Sequence, residues 1–294
     1  MGAALPPRTV GKTIRLLARR FDKAGLVVGH GTHNAREEAS WLVLHVLGVP
    51  LDALEEHAGR TLTKVQSARI ERLAARRVRE RIPAAYLIHE AWLGEFRFHV
   101  DRRAIVPRSF IAEILADDIA PLVRGPVRKA LDLCTGSGCL AILLADALPD
   151  CKVDAADLSS AALSVARRNV SDYRLGRRVR LVRSDMFNEL AARRYDLIVS
   201  NPPYVDVRAM AKLPAEYRSE PRMSLAGGDD GLHFVRRILA HARRHLHRRG
   251  TLVCEIGHNR KALERAFPRL GFTWLETSAG NRFVFLLDAE QLPG

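Results

Sequence analysis

Val127-Arg128-Lys129-Ala130-Leu131-Asp132-Leu133-Cys134-Thr135-Gly136-Ser137-Gly138-Cys139 joins an apolar, strand-like run to a glycine-bearing turn that opens a helix. Glycines at such a turn let backbone N–H groups and the start of the helix approach a bound group with no Cβ in the way. Read as Gly136-x-Gly138-x-x-Ala141, the segment also satisfies a dinucleotide fingerprint. Taken alone it indicates a nucleotide-like cofactor, against the alternative of a tight turn with no ligand. Thr135, Ser137 and Cys134 fill out the loop, and Asp132 stands at the end of the strand.

Working outward, strand-like runs lie near 151–156, 179–184, 195–200, 251–256, 272–277 and 283–287. Segments long enough for crossover helices separate the first five strands, which are therefore expected to be parallel. The last two are joined by the short turn Ser278-Ala279-Gly280-Asn281 and must be antiparallel. An α/β fold with a mostly parallel seven-stranded sheet follows.

Acids recur at the strand ends. Asp132 would repel a pyrophosphate but suits an ammonium group. Asp157 ends the second strand 25 residues later, where a carboxylate binds ribose hydroxyls, or else caps the helix opened by Leu158-Ser159-Ser160. After the third strand, Asp185 can accept from an adenine amine while Met186 packs on the ring; a plain cap is the alternative. Asn201-Pro202-Pro203-Tyr204 ends the fourth strand. Its two prolines remove two backbone donors, leaving the Asn201 side-chain oxygen and the Pro202 carbonyl as acceptors. A planar NH₂ group fits, with Tyr204 on its face.

The first 82 residues read as helices. Asn34 with Glu37 forms a capping box, and a long helix over about 63–82 carries Lys64, Arg69, Arg72, Arg76, Arg77, Arg79 and Arg81 against Glu71 and Glu80. That run is either a solvated face or a contact with an anionic partner. The short segments Ala91-Trp92-Leu93 and Phe96–Val100 form a hairpin linker. The expected organisation is a helical substrate-recognition domain over 1–85, a β-hairpin linker over 86–106 and a catalytic domain over 107–294.

With 294 residues and 47% hydrophobic content the chain can bury a large core. Its 47 Lys and Arg, 40 of them Arg, outnumber 33 acids, a formal charge of +14 that attracts phosphate-rich partners. An arginine-favouring genome is the plainer explanation. No apolar run is long enough to span a membrane, Met1–Val10 lacks the pattern of a secretory leader, and a cytoplasmic location is expected. Cys134, Cys139, Cys151 and Cys254 show neither zinc-ligand nor disulfide spacing, and His241, His245 and His247 lack a further ligand, so no metal is expected.

At the level of fold, this pattern resembles the class I (Rossmann-like) S-adenosylmethionine-dependent methyltransferases. The motifs resemble the protein glutamine methyltransferases, and among them the branch that acts on large-subunit ribosomal protein L-three. The resemblance covers about residues 30–292. It rests on Arg81-Ile82-Pro83-Ala84-Ala85-Tyr86-Leu87, Val106-Pro107-Arg108-Ser109, Asp132 to Cys139, Asn201 to Val205, Glu216-Tyr217-Arg218 with Glu220-Pro221, and Gly227 to Gly231. Phe110 departs from the proline common in that branch. The resemblance implies S-adenosylmethionine contacts at Cys134 to Gly138, Asp157, Asp185 and Met186, with Asn201 to Tyr204 holding the glutamine amide and a ribosomal protein as partner. Three alternatives stay open. They are a nucleic-acid methyltransferase acting on an exocyclic base amine, a methyltransferase of peptide chain release factors, and a non-catalytic assembly factor. Ribosomal RNA is a candidate partner of the basic N-terminal helix.

Overall fold

The computed structural model describes residues 8–293, so most of Met1–Val10, and Gly294, lie outside the described residues. The chain divides into two compact units. One runs to Glu90 and takes in Pro214–Ser219; the other holds Ala91–Leu213 and the chain from Glu220 onward.

The helical unit is built from Val10–Lys23, Ala35–Leu47, Lys64–Glu80 and Ala84–Ile88, with a short turn of helix at Leu54–His57. Val10, Ile14, Leu17 and Phe21 fall on one face at helical spacing and are buried. Asn34 caps the second helix by accepting from the Glu37 N–H at 2.9 Å, while the Glu37 carboxylate reaches back to the His33 N–H. Gly48, in the left-handed region, ends it.

Three expectations for this unit are corrected. The basic helix ends at Glu80, two residues early, because Arg81 turns left-handed with φ 55°. Arg77 is not on a solvated face. It is fully buried, donating to Glu38 at 2.9 Å, to Glu216 at 3.3 Å and to the Val27 carbonyl at 2.9 Å. Arg81 donates to Glu216 and to the Ala24 and Gly25 carbonyls. The unit boundary also moves from 85 to 90, since Ala84–Ile88 is a fully buried helix rather than part of a hairpin. Pro214–Ser219 joins this unit because Glu216, itself buried, is the acid that Arg77, Arg81 and the Val27 N–H require.

In the second unit, β1 (Ala91–Leu93) and β2 (Phe96–Phe98) make the expected hairpin, closed by Gly94. The large sheet contains β3 (Lys129–Leu133), β4 (Lys152–Asp157), β5 (Val179–Arg183), β6 (Tyr195–Ser200), β7 (Leu246–Glu255), β8 (Thr273–Leu275) and β9 (Val284–Asp288) in the order β5-β4-β3-β6-β7-β9-β8. The first five strands of this sheet pair in parallel as expected, although only a short 3-10 turn, Asn188–Leu190, and no crossover α-helix lies between β5 and β6; β9 runs antiparallel to both β7 and β8. Helices cover both faces, so successive residues of a central strand enter different cores. Leu197 and Val199 pack into one, Ile198 into the other. The sheet order reverses beside β3, which places the crevice for a ligand at the carboxyl ends of β3, β4 and β6. Among the described residues, no helix is long and apolar enough to cross a membrane.

Candidate active site

The glycine loop leaves β3 at Leu133 and enters the helix Cys139–Ala147. Cys134 holds φ 65°, an uncommon conformation for a residue with a Cβ, and Gly138 holds φ 80° at the start of the helix. A Cβ on Gly138 would lie 3.1 Å from that of Ala166, so any other residue there would push the loop and the helix Ser160–Asp172 apart by a few tenths of an ångström, besides straining a backbone at φ +80°. Asn169, buried in that helix, donates to the Ser137 carbonyl at 2.9 Å and exchanges hydrogen bonds with the His99 backbone.

Asp132 is completely buried. The Thr135 hydroxyl donates to one carboxylate oxygen, while among the described residues the other oxygen and the Ser137 hydroxyl have no hydrogen-bond partner. Burial pushes its carboxyl up to about 7. Asp157 receives the Gly136 N–H on one oxygen and the Ser159 N–H on the other, each at 2.8 Å. The helix cap belongs to Ser159, which accepts from the Ala162 N–H, so Asp157 is not that cap. Burial raises the Asp157 carboxyl as well. Met186 is buried with its sulfur 3.9 Å from that of Cys134, which joins the third strand end to the glycine loop. Asp185 is half-exposed and paired with Arg237 at 2.9 Å, so an amine reaching it must share it with that guanidinium.

Ser200 donates to the Leu133 carbonyl at 2.7 Å and so fastens the start of the Asn201 loop to the glycine loop. The Asn201 amide donates to the Arg108 carbonyl at 3.1 Å, which leaves the side-chain oxygen as the acceptor end. Pro202 is buried, and Pro203 and Tyr204 are partly buried. Tyr204 sits in a cradle of glycines. A Cβ on Gly231 would lie 2.5 Å from the Tyr204 carbonyl oxygen, and one on Gly257 2.5 Å from its ring. Asn259 donates to the same carbonyl at 2.8 Å.

Sequence reasoning missed the part played by Arg108, Glu220, Gly257 and Asn259. Glu220, buried, takes both terminal nitrogens of Arg108 at 2.7 Å and the Val106 N–H at 3.2 Å. Arg108 and Glu220 stood in quoted motifs, but 112 residues apart. Gly257 had a signal, a glycine directly after the apolar run ending at Ile256. Phe110, the unusual residue of the linker, packs on Phe283 with ring centroids 4.8 Å apart while its N–H donates to Glu255. His245 lies flat on Phe187 at 4.7 Å, and among the described residues no three His, Cys, Asp or Glu gather as metal ligands.

The chain matches the methyltransferase small domain over residues 112–216 and the PrmC N-terminal domain over 26–88. It is 51% identical to the ribosomal protein uL3 glutamine methyltransferase of Neisseria meningitidis serogroup A, over 99% of this chain and 97% of that one. The protein of the same description from Burkholderia pseudomallei is 50% identical, over 98% and 97%. Among solved structures, the hMettl16 catalytic domain in complex with MAT2A 3′UTR hairpin 6 covers 78% of this chain and 84% of that chain at 17% identity, with a TM-score of 0.50, a likeness of fold alone.

Proposed function

This chain belongs to the ribosomal protein uL3 glutamine methyltransferases, and from that premise we propose that it transfers a methyl group from S-adenosylmethionine to the side-chain amide nitrogen of a glutamine in ribosomal protein uL3. The observation that carries the site assignment is the Asn201 amide turned onto the Arg108 carbonyl. It leaves an acceptor, which is what an incoming NH₂ group needs.

The residues at the glycine loop fit the cofactor. Among the described residues, a buried carboxylate oxygen of Asp132 and the Ser137 hydroxyl have no hydrogen-bond partner, as suits a ligand that brings its own charged ends. Gly136 and Gly138 clear the approach of Cys134 to Gly138. Asp157 keeps lone pairs for ribose hydroxyls beyond the two backbone N–H groups it accepts, and Met186 and Asp185 flank the adenine position. When bound, S-adenosylmethionine supplies a methyl group already activated on a sulfonium.

The protein's own task is then positioning. The Asn201 oxygen and the Pro202 carbonyl accept the two hydrogens of the glutamine amide, and Tyr204 holds its planar face, aiming the nitrogen along the line of displacement. Fixing that geometry accounts for most of the rate, since no side-chain nucleophile is required. As a ribosomal protein is the substrate, we place the reaction in the cytoplasm.

Incubating the enzyme with labelled S-adenosylmethionine and a mixture of uL3, ribosomal RNA and release factor tests this reading. Label on a uL3 glutamine is expected. Label in the RNA would point to an exocyclic base amine, label in the release factor to the other branch, and no label to a binding role. Asp157→Ala should weaken S-adenosylmethionine measurably by calorimetry; unchanged affinity would remove Asp157 from the ribose role.

A further inference from the structure

A second cavity, of about 640 Å³, opens at the amino ends of β3, β4, β5 and β6, the edge of the sheet opposite the glycine and Asn201 loops. Seven of its fourteen lining residues are Lys or Arg, against 47 of 294 in the whole chain, so an arginine-rich composition does not account for it. The lining contains one acid, Asp154, shared by Arg180, Arg193 and the Tyr195 hydroxyl. Asp196, nearby, accepts from the backbone of Arg128 and Lys129.

Among the described residues, no hydrogen bond or ion pair engages the side chains of Lys129, Lys152 and Arg177. Lys129 and Lys152 are direct partners in the parallel register of β3 and β4, about 4.8 Å apart at the backbone. Two like charges at that spacing, with the cations of Arg177 and Arg178 in the same lining, repel one another unless an anion lies between them. The lining valines, Val153 and Val179, are buried and give a protein partner no apolar anchor.

We infer that this groove binds the phosphodiester backbone of RNA. The contact is one of charge and shape rather than base stacking, since the lining holds no exposed Phe, Tyr or Trp, Tyr195 being buried and His247 its one exposed ring. It differs from the basic helix of the other unit, where Arg77 is buried and Arg76 and Arg79 both lie on Glu80. RNA held here leaves the carboxyl ends of the strands free for cofactor and glutamine. The inference does not depend on the identity of the methyl acceptor.

Binding of a fluorescein-labelled RNA hairpin, titrated at several salt concentrations, tests it with the full-length protein. The parent should bind, more weakly as salt rises. Lys129→Glu/Lys152→Glu/Arg177→Glu should lose at least tenfold in affinity, and the slope of log affinity against log salt should fall by about 2 to 3, near 0.7–0.9 per lost contact. The Gln versions should show a smaller loss of the same sign, and S-adenosylmethionine affinity should be unchanged in both, which reports an intact fold. Three outcomes would overturn the inference. They are no binding by the parent, a loss confined to Arg69→Glu/Arg72→Glu, or tighter binding of polyglutamate than of RNA, the last indicating an acidic protein partner.

Discussion

Asn201 and Arg108 are joined by a single hydrogen bond, from the Asn201 side-chain amide to the Arg108 carbonyl at 3.1 Å. The guanidinium of the same arginine lies in a two-pronged pair with buried Glu220. The acceptor oxygen of Asn201 is thus oriented by a backbone group whose own place is fixed by an acid far along the chain. The consequences can be measured.

Glu220→Gln keeps the size of the side chain but halves the charge-assisted pairing with Arg108. Turnover on uL3 should fall about tenfold while S-adenosylmethionine affinity holds, because only the aim of Asn201 is disturbed. Arg108→Lys should behave alike, since a point charge does not reproduce the fork. Parental turnover in both variants would show that Asn201 is held by other means.

Asn201→Ala should lower turnover about 100-fold or more with cofactor binding kept. Asn201→Asp is the sharper change. It retains the acceptor oxygens yet sets one against the Arg108 carbonyl, so it should lose activity and also about 1–3 kcal/mol of stability. Methyl transfer at the parental rate by either variant would end the positioning mechanism.

Gly257→Ala forces a Cβ into the Tyr204 ring at 2.5 Å and also strains a residue at φ +57°. Gly48→Ala has the same backbone strain, but a Cβ there meets nothing within 4 Å. The Gly48 variant should lose about 1 kcal/mol and keep its activity, whereas the Gly257 variant should lose more and have markedly reduced turnover. Equal losses in the two would show that the glycine cradle around Tyr204 does not matter for turnover.

Burial pushes the carboxyls of Asp132 and Glu255 up to about 7 in the folded protein, against ordinary values of about 4 in the unfolded chain. Between those limits the folded state binds more protons at these two sites, so in the cofactor-free protein their contribution to stability should grow as pH falls from about 7 toward 4 and shrink as pH rises to 7. Asp132→Asn should flatten part of that dependence in urea titrations. An ammonium group meeting Asp132 favours its ionised form, so cofactor binding near pH 6.5 should release protons, and calorimetry in buffers of different ionisation enthalpy should detect this in the parent but not in Asp132→Asn.

Arg77→Ala leaves Glu38 and Glu216 buried without their shared cation. A loss of about 3–5 kcal/mol is expected, against a change near zero for exposed Arg72→Ala. Urea midpoints of the two variants decide whether the basic helix is read correctly as one buried and several exposed arginines.

The sequence by itself determined the sheet and the places of its loops. Strand runs separated by helix-length segments allow one hand and one direction of crossover, and glycine, proline and acid residues at strand ends mark loops whatever surrounds them. Asp132, Asp157, Asp185 and Asn201 stand out as candidates for that reason, since each lies at the carboxyl end of a strand or within two residues past it. Tertiary structure alone decided which end of the Asn201 amide is the acceptor, that Asp185 is shared with Arg237, and that Arg77 in a run of arginines is the buried one. It also brought Lys129, Lys152 and Arg177 to one cavity from three different strand starts. In each case the partner lies tens to more than a hundred residues away, and local sequence carries no trace of a charge that arrives only when the chain has folded.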